Sequence, residues 1–124
     1  MPLKVLLIDD SAAMRQVLAR TLKQAGLDVG QVLEACDGRD ALTVLGRAAV
    51  DLVLCDWNMP TMNGLDFVVA ARAKGHRVPI VMVTTEAGEE RIQQAKTAGA
   101  NAFVTKPFTA EKLAEALYPL LALA

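Results

Sequence analysis

Aromatic residues are scarce in this chain: three Phe, one Tyr and one Trp among 124 residues, 4% of the whole. A core must therefore come from Val, Leu, Ile, Ala and Met, which fits the 53% hydrophobic content. An excess of one charge is also missing. Thirteen Lys and Arg against fourteen Asp and Glu leave a net charge of −1, so the basic footprint of a nucleic-acid-binding surface is absent. Cysteine is limited to Cys36 and Cys55, each closing an apolar run. Both read as small core residues, and a reduced cytoplasmic compartment is expected. Long apolar runs are lacking despite a mean hydropathy of +0.31, because Asp, Arg or Lys interrupts every run before the ~18 residues of a membrane span. The N-terminal "MPLKVLLIDD" is too short in apolar residues for a secretory signal and ends in two acids. With no internal repeat, low-complexity tract or linker, residues 1–124 are expected to form a single domain.

What the chain does contain is a regular alternation. Apolar runs of strand length recur at Leu3–Ile8, Val32–Cys36, Val50–Cys55, Val78–Val83 and Ala102–Thr105. Apart from Lys4, Glu34 and Asp51 they carry no charge, as strands buried on both faces should. Helical periodicity fills the gaps. Met14, Val17, Leu18, Thr21, Leu22 and Ala25 mark a first helix that stops at Gly26. Ala41, Leu42, Leu45 and Ala48 mark a second, with Asp37 as its N-cap. Leu65, Val68, Val69 and Arg72 trace a third that stops at Gly75. The fourth has only Ile92, Ala95 and Ala98 before Gly99, a thin face that predicts weak docking. Leu113, Ala116, Leu117, Leu120 and Leu121 belong to a fifth, which Pro119 is expected to kink or end near Tyr118. This alternation predicts an α/β domain, a (βα)5 doubly wound five-stranded parallel sheet in the flavodoxin-like order 2-1-3-4-5.

In such a sheet the C-terminal strand ends share one edge, where ligands bind at the switch point between strands 1 and 3. The residues closing those strands are Asp9 and Asp10, Asp56, Thr84 and Lys106. Singly, "DDS" at residues 9–11 could cap a helix, Asp56 could start a turn, Thr84 could be a core hydroxyl and Lys106 a solvated loop residue. Together, on one edge, they form a site. Three carboxylates and one ammonium leave two negative charges, which one divalent cation cancels, and all-oxygen ligation favours Mg²⁺. A carboxylate beside a metal, a hydroxyl and an ammonium can attack phosphorus and form an acyl phosphate. Asp56, alone on the middle strand, is the nucleophile candidate, with Asp9 and Asp10 as the metal-holding pair. His76 precedes the fourth strand at the opposite edge and is assigned no role.

"LLIDDS", "VLCDWNMPTMNGLD", "VPIVMVTTEA" and "AGANAFVTKPFT" resemble the receiver domain of bacterial two-component response regulators. "DWNMP" and "VTTEA" are similar to the single-domain chemotaxis branch, the CheY-like receivers. The resemblance spans the whole chain. It implies that Asp56 accepts a phosphoryl group from a histidine kinase, with Mg²⁺ held by Asp10, Asp56 and the backbone carbonyl of Asn58, and with Asp9 acting mainly through metal-bound water. It also implies that Thr84 and Lys106 contact the phosphoryl group and that the Lys106–Pro107 bond is cis, aiming the lysine inward. A switch pairing Thr84 with Phe103 would reshape the face formed by helix 4, strand 5 and helix 5. Asn58 and Glu86 would tune the phosphoryl lifetime, which is expected to be short.

Departures from that pattern carry expectations of their own. Phe103 stands where the chemotaxis receivers commonly have tyrosine. Lacking a hydroxyl to reward a solvated pose, it is expected to sit inward without phosphate. Thr85 is bulkier than the alanine often found there and is expected to narrow the approach to Asp56. The expected role is a monomeric, stand-alone switch rather than an enzyme, one that binds a downstream protein such as a flagellar motor switch protein and contacts no nucleic acid or membrane. A phosphorelay carrier or a separate receiver acting on another regulator is the alternative. A Mg²⁺-dependent phosphatase of the haloacid dehalogenase type needs Asp-x-Asp after strand one, where this chain has Asp-Asp-Ser. A flavodoxin needs a phosphate loop there, which two carboxylates would repel.

Overall fold

Alternation within the apolar runs decides how the sheet is buried. In the computed structural model, which describes residues 2–85 and 88–121, the chain runs β1 (Leu3–Ile8), α1 (Ala12–Gln24), β2 (Val29–Ala35), α2 (Gly38–Arg47), β3 (Leu52–Cys55), α3 (Gly64–Ala73), β4 (Ile80–Thr84), α4 (Glu89–Ala98), β5 (Ala102–Thr105) and α5 (Ala110–Leu121). The strands are all parallel, in the predicted order β2-β1-β3-β4-β5. Successive strand residues point to opposite faces. Leu6, Ile8, Val53, Cys55, Ile80 and Met82 therefore join Phe67, Val68 and Ala71 of α3 and Ala95 of α4 on one side. Val5, Leu7, Leu52, Leu54, Val81 and Val83 meet Leu18 and Leu22 of α1 and Leu113 and Leu117 of α5 on the other. Each fully buried Leu or Phe side chain contributes roughly 1.5–3 kcal/mol of transfer free energy.

Helix termini follow local chemistry. Ser11, Asp37 and Asn63 cap α1, α2 and α3, each accepting a hydrogen bond from the backbone N–H three residues on. Gly99 takes the left-handed C-terminal position after α4 with φ 118°. α4 buries only Ala95 fully, as its thin apolar face implies.

Several details differ from the sequence expectations, among them β4, which starts at Ile80 rather than Val78, and Val17, which is exposed on α1. β2 starts at Val29, earlier than Val32, because it is an edge strand paired only with β1 and tolerates Gly30 and Gln31. Cys36 lies just past that strand and is exposed, whereas Cys55 is buried. β3 begins at Leu52, since Asp51 turns outward and its carboxylate accepts a hydrogen bond from the Lys4 N–H at 2.8 Å. In α3 the buried face is Gly64, Phe67, Val68 and Ala71, while Val69 is 52% exposed. The aromatic Phe67 outweighs Val69 in choosing which side of an almost wholly apolar helix turns inward. Arg72, expected on that face, fastens the lower edge instead: it donates to the carbonyls of His76, Val78 and Gly99 and to the Asn101 side chain.

Of the two outcomes expected of Pro119, a kink or an end near Tyr118, the end does not occur: α5 continues through Pro119 to Leu121. Proline removes its own N–H and crowds the preceding turn, a cost offset by Leu113 and Leu117, which are completely buried and hold the helix on the sheet. The Tyr118 hydroxyl also ties this helix to α1 by donating to the Ala25 carbonyl at 2.6 Å.

Candidate phosphoacceptor and metal site

Register sets the site before any side chain does. Ile8 pairs with Cys55 across β1 and β3, so Asp9 and Asp56 leave the sheet side by side. The Asp56 N–H donates to the Ile8 carbonyl at 2.9 Å and the Asp9 N–H to the Ala35 carbonyl at 3.1 Å. On the next pair of strands Thr84 pairs with Thr105, and the Lys106 N–H donates to the Thr84 carbonyl at 2.9 Å. The Lys106–Pro107 peptide is cis.

These strand ends bring the predicted side chains together. Carboxylate oxygens of Asp9, Asp10 and Asp56 lie within 4.8 Å of one another. Lys106 Nζ is 3.2 Å from Asp9 Oδ2 and 3.5 Å from Asp56 Oδ2, with 14% of its side chain exposed. Asp9 is buried, Asp56 half-buried and Asp10 exposed. Asp56 Oδ1 accepts the Trp57 N–H at 2.7 Å, and the fully buried Thr84 donates its hydroxyl hydrogen bond to the same carboxylate. Burial pushes the Asp56 carboxyl above its usual value; Lys106 pulls it down, Asp9 raises it, and the Trp57 and Thr84 hydrogen bonds lower it. Burial, with Asp56 and Asp9 adding to it, drives the neighbouring Cys55 thiol well above its ordinary value and keeps it neutral. Asn58 is exposed on the loop beyond Asp56. Glu86 lies outside the described residues.

Phe103 is half-buried against the core, its ring 6.5 Å from that of Trp57 and tilted 58°. The Arg91 guanidinium, on α4, lies 4.8 Å from the Trp57 ring centroid, a cation–π contact that ties the helix to the residue after Asp56. Neither Arg91 nor the Trp57 N–H is recognisable from strand-end logic, because both act through a ring or a backbone atom.

Gly64 explains how α3 can begin so near the site. Its N–H donates to the Trp57 carbonyl at 2.8 Å, and a Cβ there would press into the Asp56 carbonyl and crowd the Met82 methyl group. Gly64→Ala is therefore expected to destabilise the fold by about 3 kcal/mol, readable as a lower denaturation midpoint.

The acidic cluster suits a hard divalent cation. Its donors are all oxygens, are close enough to share one ion, and outnumber Lys106, the one ammonium bridging to them among the described residues. Trp57, the sole tryptophan, is 4% exposed and hydrogen-bonded to Asp56. Its fluorescence is expected to change on titration with Mg²⁺, and an unchanged spectrum at saturating metal would contradict the site.

A doubly wound sheet with acids, a threonine and a lysine at successive strand ends defines a two-component receiver. Residues 5–118 match the response regulator receiver domain family, and the chain belongs to it. Its relatives include the chemotaxis protein CheY1 of Helicobacter pylori, 41% identical over 122 residues and covering 96% of this chain and 97% of that one. The CheY homolog of Campylobacter jejuni is 43% identical over 122 residues, with 96% and 92% covered. Among solved structures, Vibrio cholerae chemotaxis protein CheY4 superposes with a TM-score of 0.84 at 40% identity, covering 96% of this chain and 98% of that one. The chain is a CheY-type receiver, and its class is chemotaxis-like two-component signalling.

Proposed function

We propose that this chain is a stand-alone phosphorylation switch in chemotaxis, with Asp56 as the phosphoacceptor. The observation that carries this reading is the meeting of Asp56 with Lys106 at 3.5 Å beside Asp9 and Asp10. An Asp56 carboxylate oxygen attacks the phosphorus of a kinase phosphohistidine. The new O–P bond forms as the N–P bond breaks, and the imidazole nitrogen takes up a proton. Lys106 neutralises charge on the transferred group, and Thr84 turns its hydroxyl from the carboxylate to a phosphoryl oxygen. Asp10, Asp56 and the Asn58 carbonyl would hold Mg²⁺, with Asp9 reached through water; when bound, the ion neutralises phosphoryl oxygens. The chain turns over no separate substrate, so it is a self-modifying switch rather than an enzyme.

Phe103, half-buried beside Trp57, is the ring that responds when Thr84 leaves the Asp56 carboxylate. The weakly docked α4, clasped to Trp57 by Arg91, is the element a small local shift can move. The output face is then α4, β5 and α5, and on its β5–α5 side Phe103, Val104, Thr105, Lys112, Glu115 and Ala116 line a depression of about 410 Å³. A flagellar motor switch protein is the proposed partner. Among the described residues no helix is long and apolar enough to cross a membrane; the proposed place of action, beside the kinase, is the cytoplasm. Beryllofluoride-treated protein should retain that partner on a column, and Asp56→Ala protein treated alike should not. Equal retention by both would defeat the proposal.

A further inference from the structure

Arg15 is a cation beside the acidic pocket that phosphoryl transfer leaves unused. It lies in the first turns of α1, only 16% of its side chain is exposed, and it is anchored at two points. Its Nε donates to Glu34 Oε1 on β2 at 2.8 Å, and its Nη1 donates to the backbone carbonyl of Asp9 at 2.5 Å. The other polar atoms of Asp9 are occupied too. Its N–H bonds the Ala35 carbonyl, its Oδ1 accepts the Ser11 N–H at 2.9 Å, and its Oδ2 accepts from Lys106. Asp10 differs. It is exposed, and among the described residues no side chain holds its carboxylate. Its position depends on the backbone that carries it.

That backbone starts at the atom Arg15 grips. A peptide unit is planar, so the Asp9 carbonyl, the Asp10 N–H and the Asp10 Cα share one plane. Holding the carbonyl oxygen fixes the direction in which Asp10 leaves the sheet edge. The planar fork of arginine can reach Glu34 and Asp9 at once; a lysine ammonium offers one point charge and cannot reproduce that spacing. We propose that Arg15, braced by Glu34, is a positioning residue that orients the Asp9–Asp10 peptide and so sets the pocket's affinity for a divalent cation. The proposal rests on the phosphoacceptor reading of the same pocket.

Two effects of Arg15 on the cation oppose one another. Its charge repels a cation, whereas its grip on the loop preorganises the carboxylates. Substitution separates them. If positioning dominates, Arg15→Met and Arg15→Lys both weaken Mg²⁺ binding, measured by calorimetry, by about tenfold, as loss of a group that orients metal ligands does. Glu34→Gln, which loosens the brace but keeps the guanidinium, weakens it in the same direction and by less than the loss of Arg15 does. In metal-free protein, hydrogen exchange at the Ser11 amide, which bonds Asp9 Oδ1, should quicken in both Arg15 variants while the α5 amides stay protected. Arg15→Lys binding Mg²⁺ like the wild type, or Arg15→Met binding it more tightly, overturns the proposal in favour of simple charge repulsion. If wild-type protein binds no Mg²⁺, the phosphoacceptor reading fails. The claim on affinity falls with it, and the metal-free exchange rates still decide whether Arg15 orients the loop.

Discussion

Asp56→Asn protein is expected to melt a few degrees, about 2–4 °C, above the wild type at neutral pH in metal-free buffer, a shift kept small because solvent screens a half-buried carboxylate. The sign follows from the site. Burial raises the folded-state pKa of Asp56, with Asp9 adding to the rise and Lys106 only partly opposing it. The folded protein thus holds this proton more tightly than the unfolded chain does. Its stabilising contribution is present below the unfolded value and is lost as pH rises through the folded value, so the ionised carboxylate is a net cost at neutral pH. Asparagine keeps an acceptor for the Trp57 N–H and the Thr84 hydroxyl without the charge. The gap between the two melting curves should close as pH falls toward the carboxylate range, and saturating Mg²⁺, which favours the ionised wild type, should narrow it at neutral pH. An Asn variant less stable than wild type at pH 7 would contradict the electrostatic picture.

The second large effect concerns Lys106. Lys106→Ala is expected to slow phosphoryl incorporation from acetyl phosphate about 100-fold at fixed Mg²⁺, in line with removal of one preorganised charge-stabilising group. The ammonium sits 3.5 Å from the attacking carboxylate and 3.2 Å from Asp9, in a site with little access to water that could screen it. Its loss removes the largest influence lowering the Asp56 pKa. Part of the deficit should therefore come from a smaller ionised fraction, and a shift of the pH–rate profile to higher pH would reveal that part. A variant phosphorylated at the wild-type rate would show that Lys106 plays no part in charge stabilisation during transfer.

Much of the architecture was legible because two simple periodicities dominate it. Strands buried on both faces read as uncharged runs, and their C-terminal ends carry polar residues with no packing reason to be there. That logic led from Asp9, Asp10, Asp56, Thr84 and Lys106 in the chain to one cluster in space. It failed where one-dimensional pattern is weak. α3 is apolar almost all round, so periodicity could not choose between Val69 and Phe67, and only packing against the sheet turned Phe67 inward. Cys36 continues an apolar run, yet it falls one residue beyond an edge strand, where there is nothing to bury it. Pro119 signals a kink or an end on local grounds, and the end is overridden by the long-range contacts of α5. Arg15 and Arg91 act through a backbone carbonyl and an indole ring, partners no residue spacing announces.

Phosphorylation of Asp56 is the claim on which the rest depends, and it can be read as a covalent mark. The protein is incubated with acetyl phosphate and Mg²⁺, reduced with borohydride, which converts an aspartyl phosphate to homoserine, and mapped by peptide mass spectrometry. The result predicted is a single homoserine at position 56, missing when Mg²⁺ is chelated and missing in Asp56→Asn. Homoserine at position 9 or 10 instead, or no modification in protein that binds Mg²⁺ normally, would contradict it.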